Sequence, residues 1–119
     1  METSPLNLKD KKCLPCSGGV PPLNPEEKAR LKPQISPQWS LTHNSTRLYR
    51  DFGFKNFAQA LLFANKVGDL AEGQWHHPEL HIGFGHAGVE IWTHKIDNLV
   101  ESDFIFAAKV DEIFEGLQP

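Results

Sequence analysis

The stretch that decides the fold runs His81-Ile82-Gly83-Phe84, then Gly85-His86-Ala87, then Gly88-Val89-Glu90-Ile91-Trp92-Thr93-His94. It reads as a β-hairpin whose turn is flanked by Gly85 and Gly88. In the second strand Val89, Ile91 and Thr93 share one face, while Glu90, Trp92 and His94 share the other. Upstream, Asn56 is placed to cap a helix on which Phe57, Ala60, Leu61, Ala64, Val67 and Leu70-Ala71 recur every three or four residues. Gly68 and Gly73 weaken its end, and Trp75-His76-His77-Pro78 follows. Downstream, a last helix capped by Ser102, with Asp103 in its first turn, buries Phe104, Ala107, Ala108, Val110, Ile113 and Phe114.

The first half repeats this grammar without repeating the sequence. Asn24-Pro25-Glu26-Glu27 starts a short helix: Asn caps, Pro suits the first position, and the acids complement the positive helix end. Pro33 stops it, and Ile35 to Pro37 connects onward. Trp39-Ser40-Leu41 and Arg47 to Phe52 follow as strands around a turn at Asn44-Ser45, with Arg50 as a polar intruder between Leu48 and Phe52. The order α-β-β-α-β-β-α predicts an α+β domain: a four-stranded antiparallel sheet with helices on one face. The domain is assigned to residues 24–119, and residues 1–23, rich in Pro, Gly, Ser and Lys, to a flexible arm.

Composition excludes several functions. The 119 residues carry a net charge of −3 with no basic face, which argues against direct nucleic-acid binding. The longest apolar run, Ala60 to Ala64, is too short to span a bilayer, and residues 1–12 contain no apolar signal core, so a cytoplasmic address is expected. The two cysteines form Cys13-Leu14-Pro15-Cys16. In this loop-like context they read as a reduced pair, half a metal site or a redox motif. No phosphate loop, nucleophile elbow or dinucleotide fingerprint is present.

Chemistry therefore rests on the six histidines, whose ordinary charge change lies nearest neutrality. His76 and His77 are adjacent, so their rings converge on one ligand only where the chain bends. His94 sits at the far end of the hairpin. These three read as acid/base, metal or structural residues. His43, His81 and His86 read as turn and strand-surface residues. The segment from His77 to His81 does not match a zinc-protease helix, since Glu79 is misplaced and Pro78 lies inside. Trp39, Trp75 and Trp92 read as core aromatics, although Trp75 and Trp92, beside the histidines, suit the wall of a flat heteroaromatic ligand.

Taken together, Glu72, His76, His77, Pro78, Phe84, His94 and Asp103 fall at the intervals of a known pattern. On these residues the chain resembles the pterin-4a-carbinolamine dehydratase family, also known for the dimerisation cofactor of hepatocyte nuclear factor, from about Leu23 to Phe114. The resemblance implies dehydration of a 4a-hydroxytetrahydropterin to quinonoid dihydropterin. No cofactor or metal is then needed, the pterin being the substrate. It implies His76 and His94 as proton-transfer residues and His77 as a ligand-orienting one. Glu72, Trp75, Trp92, Thr93 and Lys95 would complete the pocket. Asp103 would orient a histidine or complement the helix dipole. It further implies a homodimer or homotetramer, with the surplus apolar residues of the last helix (Phe104, Ile105, Phe106, Phe114) as an interface. A pterin-dependent aromatic amino acid hydroxylase would be a pathway partner. The alternative carried by the family is a non-catalytic dimerisation or coactivator role. Trp75 stands where animal members carry Asp, and Trp92 where they carry Ser.

Overall fold

A computed structural model describes residues 8–13 and 21–117. Its elements run α1 (Pro25–Leu31), β1 (Ser40–Thr42), β2 (Arg47–Gly53), α2 (Phe57–Gln74), β3 (Glu79–Gly83), β4 (His86–Ile91) and α3 (Glu101–Leu117). The strands form one antiparallel sheet in the order β1-β2-β4-β3. The α+β order expected from the sequence is therefore the observed one. Strand pairing brings the two hairpins together through β2 and β4, with Leu48 opposite Ile91 and Phe52 opposite Ala87.

Period-two alternation sends Leu48, Phe52, Ala87, Val89 and Ile91 to one face, where all are buried. Against them pack Ala60, Phe63, Val67 and Ala71 of α2 and Phe104, Ala107 and Val110 of α3. Phe63 lies 4.6 Å from Phe52, centroid to centroid. Local signals set the helix starts. The Asn24 side chain accepts from Glu27 N–H at 2.8 Å while Glu27 reaches back to Asn24 N–H at 2.9 Å, a reciprocal cap. Asn56 accepts from Gln59 N–H.

The boundaries depart from the sequence reading in informative ways. Pro33 does not end the helical path at once; a 3₁₀ turn over Lys32–Gln34 contains it. Trp39 precedes β1 rather than joining it, fully buried with its indole N–H donated to Asp111 at 2.7 Å. Only Phe84 and Gly85 lie between β3 and β4, and Gly85 has φ +79°. Gly88 is inside β4 instead of flanking the turn, and a Cβ there would lie 2.4 Å from the Tyr49 hydroxyl, so the position favours glycine. The cap of α3 is not Ser102, which is buried in the helix's first turn. Asp103 instead takes the Val100 N–H at 2.9 Å, satisfying one of the helix's otherwise free donors.

Arg50, the intruder, is explained by α3. Its guanidinium meets Asp111 at 2.8 Å and lies 4.2 Å over the Phe52 ring. Asp111 also accepts from Ser36 N–H at 3.0 Å. Burial pushes the Asp111 carboxyl above its ordinary range, against the pull of its hydrogen bonds and Arg50. This pair ties β2 to α3 across the core.

Residues 8–13 are docked rather than loosely draped. Leu8 and Cys13 are buried in the core, and a 3₁₀ turn, Leu8–Asp10, packs on α3. Lys109 Nζ donates to Lys9 O, Lys11 pairs with Glu101, and Cys13 N–H donates to Gln74 at 2.9 Å. Cys16 lies outside the described residues. The docking corrects the reading of α3: Phe104, Ile105 and Phe106 are buried within this chain. Exposed apolar side chains instead include Phe57, Leu61 and Leu62 of α2.

Two outcomes follow. Arg50→Ala leaves Asp111 as a buried acid without its counter-ion, and should cost about 3 kcal/mol in urea unfolding. Burial pushes the Cys13 thiol up to about 11. At pH 8 its thiolate fraction is then about a thousandth, so iodoacetamide should label Cys13 slowly in folded protein and readily in denaturant, read by peptide mass spectrometry.

Candidate functional site

The C-terminal end of α2 sets the first part of the site. Trp75 takes a left-handed conformation, φ 54°, and its backbone N–H and that of His76 both bond to Ala71 O. The turn ends the helix where Pro78 would have clashed with it, and β3 begins directly after. Across this bend the adjacent histidines diverge. His76 turns inward and is buried; His77 remains exposed.

His76 Nε2 lies 2.6 Å from Asp103 Oδ1. Asp103 is fully buried, and its other oxygen accepts from the Thr93 hydroxyl at 2.8 Å and from Val100 N–H. A carboxylate surrounded by donors on three sides is held as an acceptor, so His76 is the donor and Nε2 carries the proton. Nδ1 is then the acceptor nitrogen of the ring. Phe106 closes one side of the imidazole, edge to face at 6.0 Å. Asp103 therefore both bonds the His76 ring and stands in the first turn of α3.

His94 arrives differently. The chain leaves β4 at Trp92, and the Thr93–Asn98 bridge closes a 3₁₀ turn over His94–Ile96. The His94 ring is exposed and stacks on Trp92 at 4.3 Å. The Arg47 guanidinium lies 4.1 Å from the Trp92 ring and is held by Asp97 at 2.6 Å. Thr93, buried between Trp92 and His94, fastens this turn to the same carboxylate that holds His76. The coupling of the two histidines is therefore His76–Asp103–Thr93, then one peptide bond to His94.

His77 stands on the other side of the bend. Its Nε2 meets Glu72 at 2.6 Å, and Trp75 approaches it edge-on at 5.4 Å. A cavity of about 440 Å³ between α2 and β3 includes Glu72, His77, Leu80 and Ile82 in its wall. The three rings do not contact one another: His76 belongs to Asp103, His77 to Glu72 and His94 to Trp92. Lys95 is exposed, and so is Phe84, at the tip of the β3–β4 hairpin. Sequence reasoning missed Arg47 as a support of Trp92. The signal was faint, an arginine opening a strand destined to pair with the one ending at Trp92.

With this geometry in place, comparison with known proteins becomes specific. The family profile of pterin 4 alpha carbinolamine dehydratase matches residues 21–113. Among relatives provisionally named as pterin-4-alpha-carbinolamine dehydratases, one from Rubrobacter xylanophilus is 53% identical over 106 residues, covering 89% of this chain and 97% of its own. Another, from Rickettsia bellii, is 50% identical over 109 residues, covering 92% and 96%. A crystal structure of a transcriptional coactivator/pterin dehydratase from Brucella melitensis superposes with a TM-score of 0.72 at 26% identity, covering 78% of this chain and 98% of that one. A pterin dehydratase-like protein identified as a RuBisCO assembly factor in the alpha-carboxysome shares the fold, with a TM-score of 0.55, 23% identity, and coverage of 64% and 88%. On the match across its whole folded domain, the chain belongs to the pterin 4 alpha carbinolamine dehydratase family.

Proposed function

We propose that the chain dehydrates a 4a-hydroxytetrahydropterin to the quinonoid dihydropterin and water, using imidazoles as acid and base and thereby returning an oxidised pterin for reuse. The observation that carries this reading is the buried His76–Asp103–Thr93 chain of hydrogen bonds. In the reaction the C4a–O bond breaks, the hydroxyl leaves with an added proton as water, and N5 loses its proton as the C4a=N5 bond forms. No electron passes to an acceptor, so two positioned proton-transfer groups suffice.

The hydrogen bonds support a division of labour. His76, protonated on Nε2 with Nδ1 as its acceptor, suits removal of the N5 proton. The imidazolium so formed is stabilised by the Asp103 carboxylate. His94, exposed and seated on Trp92, suits delivery of a proton to the departing hydroxyl. His77, braced by Glu72, suits orientation of the pterin. The rings of Trp75 and Trp92 offer flat apolar surface for stacking, and Lys95 lies beside His94 in sequence. Asp103 acts through His76 rather than on the substrate.

In an assay that generates the carbinolamine in situ and follows quinonoid product by absorbance, His76→Ala and His94→Ala should each lose about 10²–10⁴-fold of the enzymatic rate. Asp103→Asn should lose about 10²-fold or more while also shifting the pH profile, since the fixed tautomer is gone. EDTA should leave the rate unchanged. A folded wild-type protein no faster than the spontaneous reaction would overturn the proposal.

The apolar surface of α2 favours self-association as part of the same reading. Phe57, Leu61 and Leu62 expose a hydrophobic strip on an otherwise amphipathic helix. The roles in the names of the two structural relatives, coactivator and assembly factor, are likewise roles of contact surfaces. Leu62→Glu should shift the protein to smaller species in gel filtration, whereas His76→Ala should not.

A further inference from the structure

Three histidines, His43, His81 and His86, stand apart from the Asp103 network, on or beside the sheet face that the helices leave open. Alternation in β3 places Glu79 and His81 on that face, and alternation in β4 places Glu90 there. Register then creates an unfavourable pair. Glu79 is directly opposite Glu90, and like charges in that position repel. No lysine or arginine among the described residues forms an ion pair with either. His43 Nδ1 lies 3.8 Å from Glu90 Oε2. One ligand atom each of Glu79, His81 and Glu90 lie within 4.8 Å of one another.

We infer that Glu79, His81 and Glu90 form a three-ligand binding site for a divalent transition-metal ion of the zinc type, the remaining position falling to water. The repulsion between the two carboxylates is what such an ion removes, since its charge offsets both. Zinc takes imidazole nitrogen and carboxylate oxygen at about 2.0–2.2 Å in a tetrahedron, so its donors sit roughly 3.4 Å apart. Rotation of the exposed Glu79 and His81 side chains toward the half-buried Glu90 closes the observed spacing to that distance. An imidazole in the set selects zinc, nickel or copper over calcium or magnesium. The three ligands stand on two hydrogen-bonded strands, which fixes their Cβ positions. Gly88, opposite His81, has no side chain, and the Tyr49 hydroxyl occupies the space above it. Tyr49 is cross-strand from Glu90, and its ring leans over Gly88 on the same face. His86 is already held by Asp51 at 2.9 Å.

Calorimetric titration of the untagged, metal-stripped full chain with Zn²⁺ tests the site. Wild type should take up one ion per chain. His81→Ala and Glu90→Gln should each weaken uptake about tenfold or more. The double variant His77→Ala/His94→Ala should bind as wild type does. Added Zn²⁺ should raise the melting temperature of wild type and not of His81→Ala. The inference is overturned if wild type takes up no zinc, or if His81→Ala binds it unchanged. Uptake that depends on the site histidines, or on His86 in place of His81, would overturn it equally.

Discussion

A fully buried carboxylate is tolerable only if donors surround it, and Asp103 organises the molecule around that requirement. Its three partners come from three different parts of the chain. Val100 N–H fixes where α3 begins. Thr93 fixes how the chain leaves β4. His76 fixes how it leaves α2. The elements that converge on Asp103 are also those that pack on β2 and β4, so the polar centre and the apolar core specify the same arrangement. A second buried acid, Asp111, does similar work two turns further along α3, clamping Arg50 and Trp39.

Much of this was legible in the sequence because it is periodic. Apolar residues at intervals of three and four in α2 and α3, and of two in β2 and β4, mark the buried faces without any knowledge of partners. Asn24, Asn56 and Gly85 announce their own backbone geometry. What was not legible depends on contacts between distant residues. Ser102 has the chemistry of a cap, yet Asp103 wins because its carboxylate is needed at Val100 and at His76 together. Arg50 looks like a blemish in a strand until Asp111 is placed beside it. The surplus apolar residues of α3 suggest a partner molecule, and the cover turns out to include Leu8 and Cys13 of the same chain.

The candidate site divides along the same line. His76, His77, His94 and Asp103 stood out as a set only through the family resemblance, since the residues alone left acid/base, metal and structural readings open. Their states were not legible. That His76 is buried and committed through Nε2, while His77 and His94 face outward on Glu72 and Trp92, follows from the left-handed turn at Trp75 and the Thr93–Asn98 bridge. Two adjacent histidines thereby acquire different environments.

The docking of residues 8–13 has a consequence for how the site comes into being. Cys13 N–H bonds to Gln74, the last residue of α2, while Cys13 Sγ contacts the carbonyl of Ser102, next to Asp103. Residues flanking the site's histidine and aspartate are thus tied to a segment more than sixty positions earlier. Such contacts close only after residue 102 has been made, because they span long loops. During synthesis α1, α2 and both hairpins can form before that point. A chain opened at these contacts would hold the histidines without holding them in place.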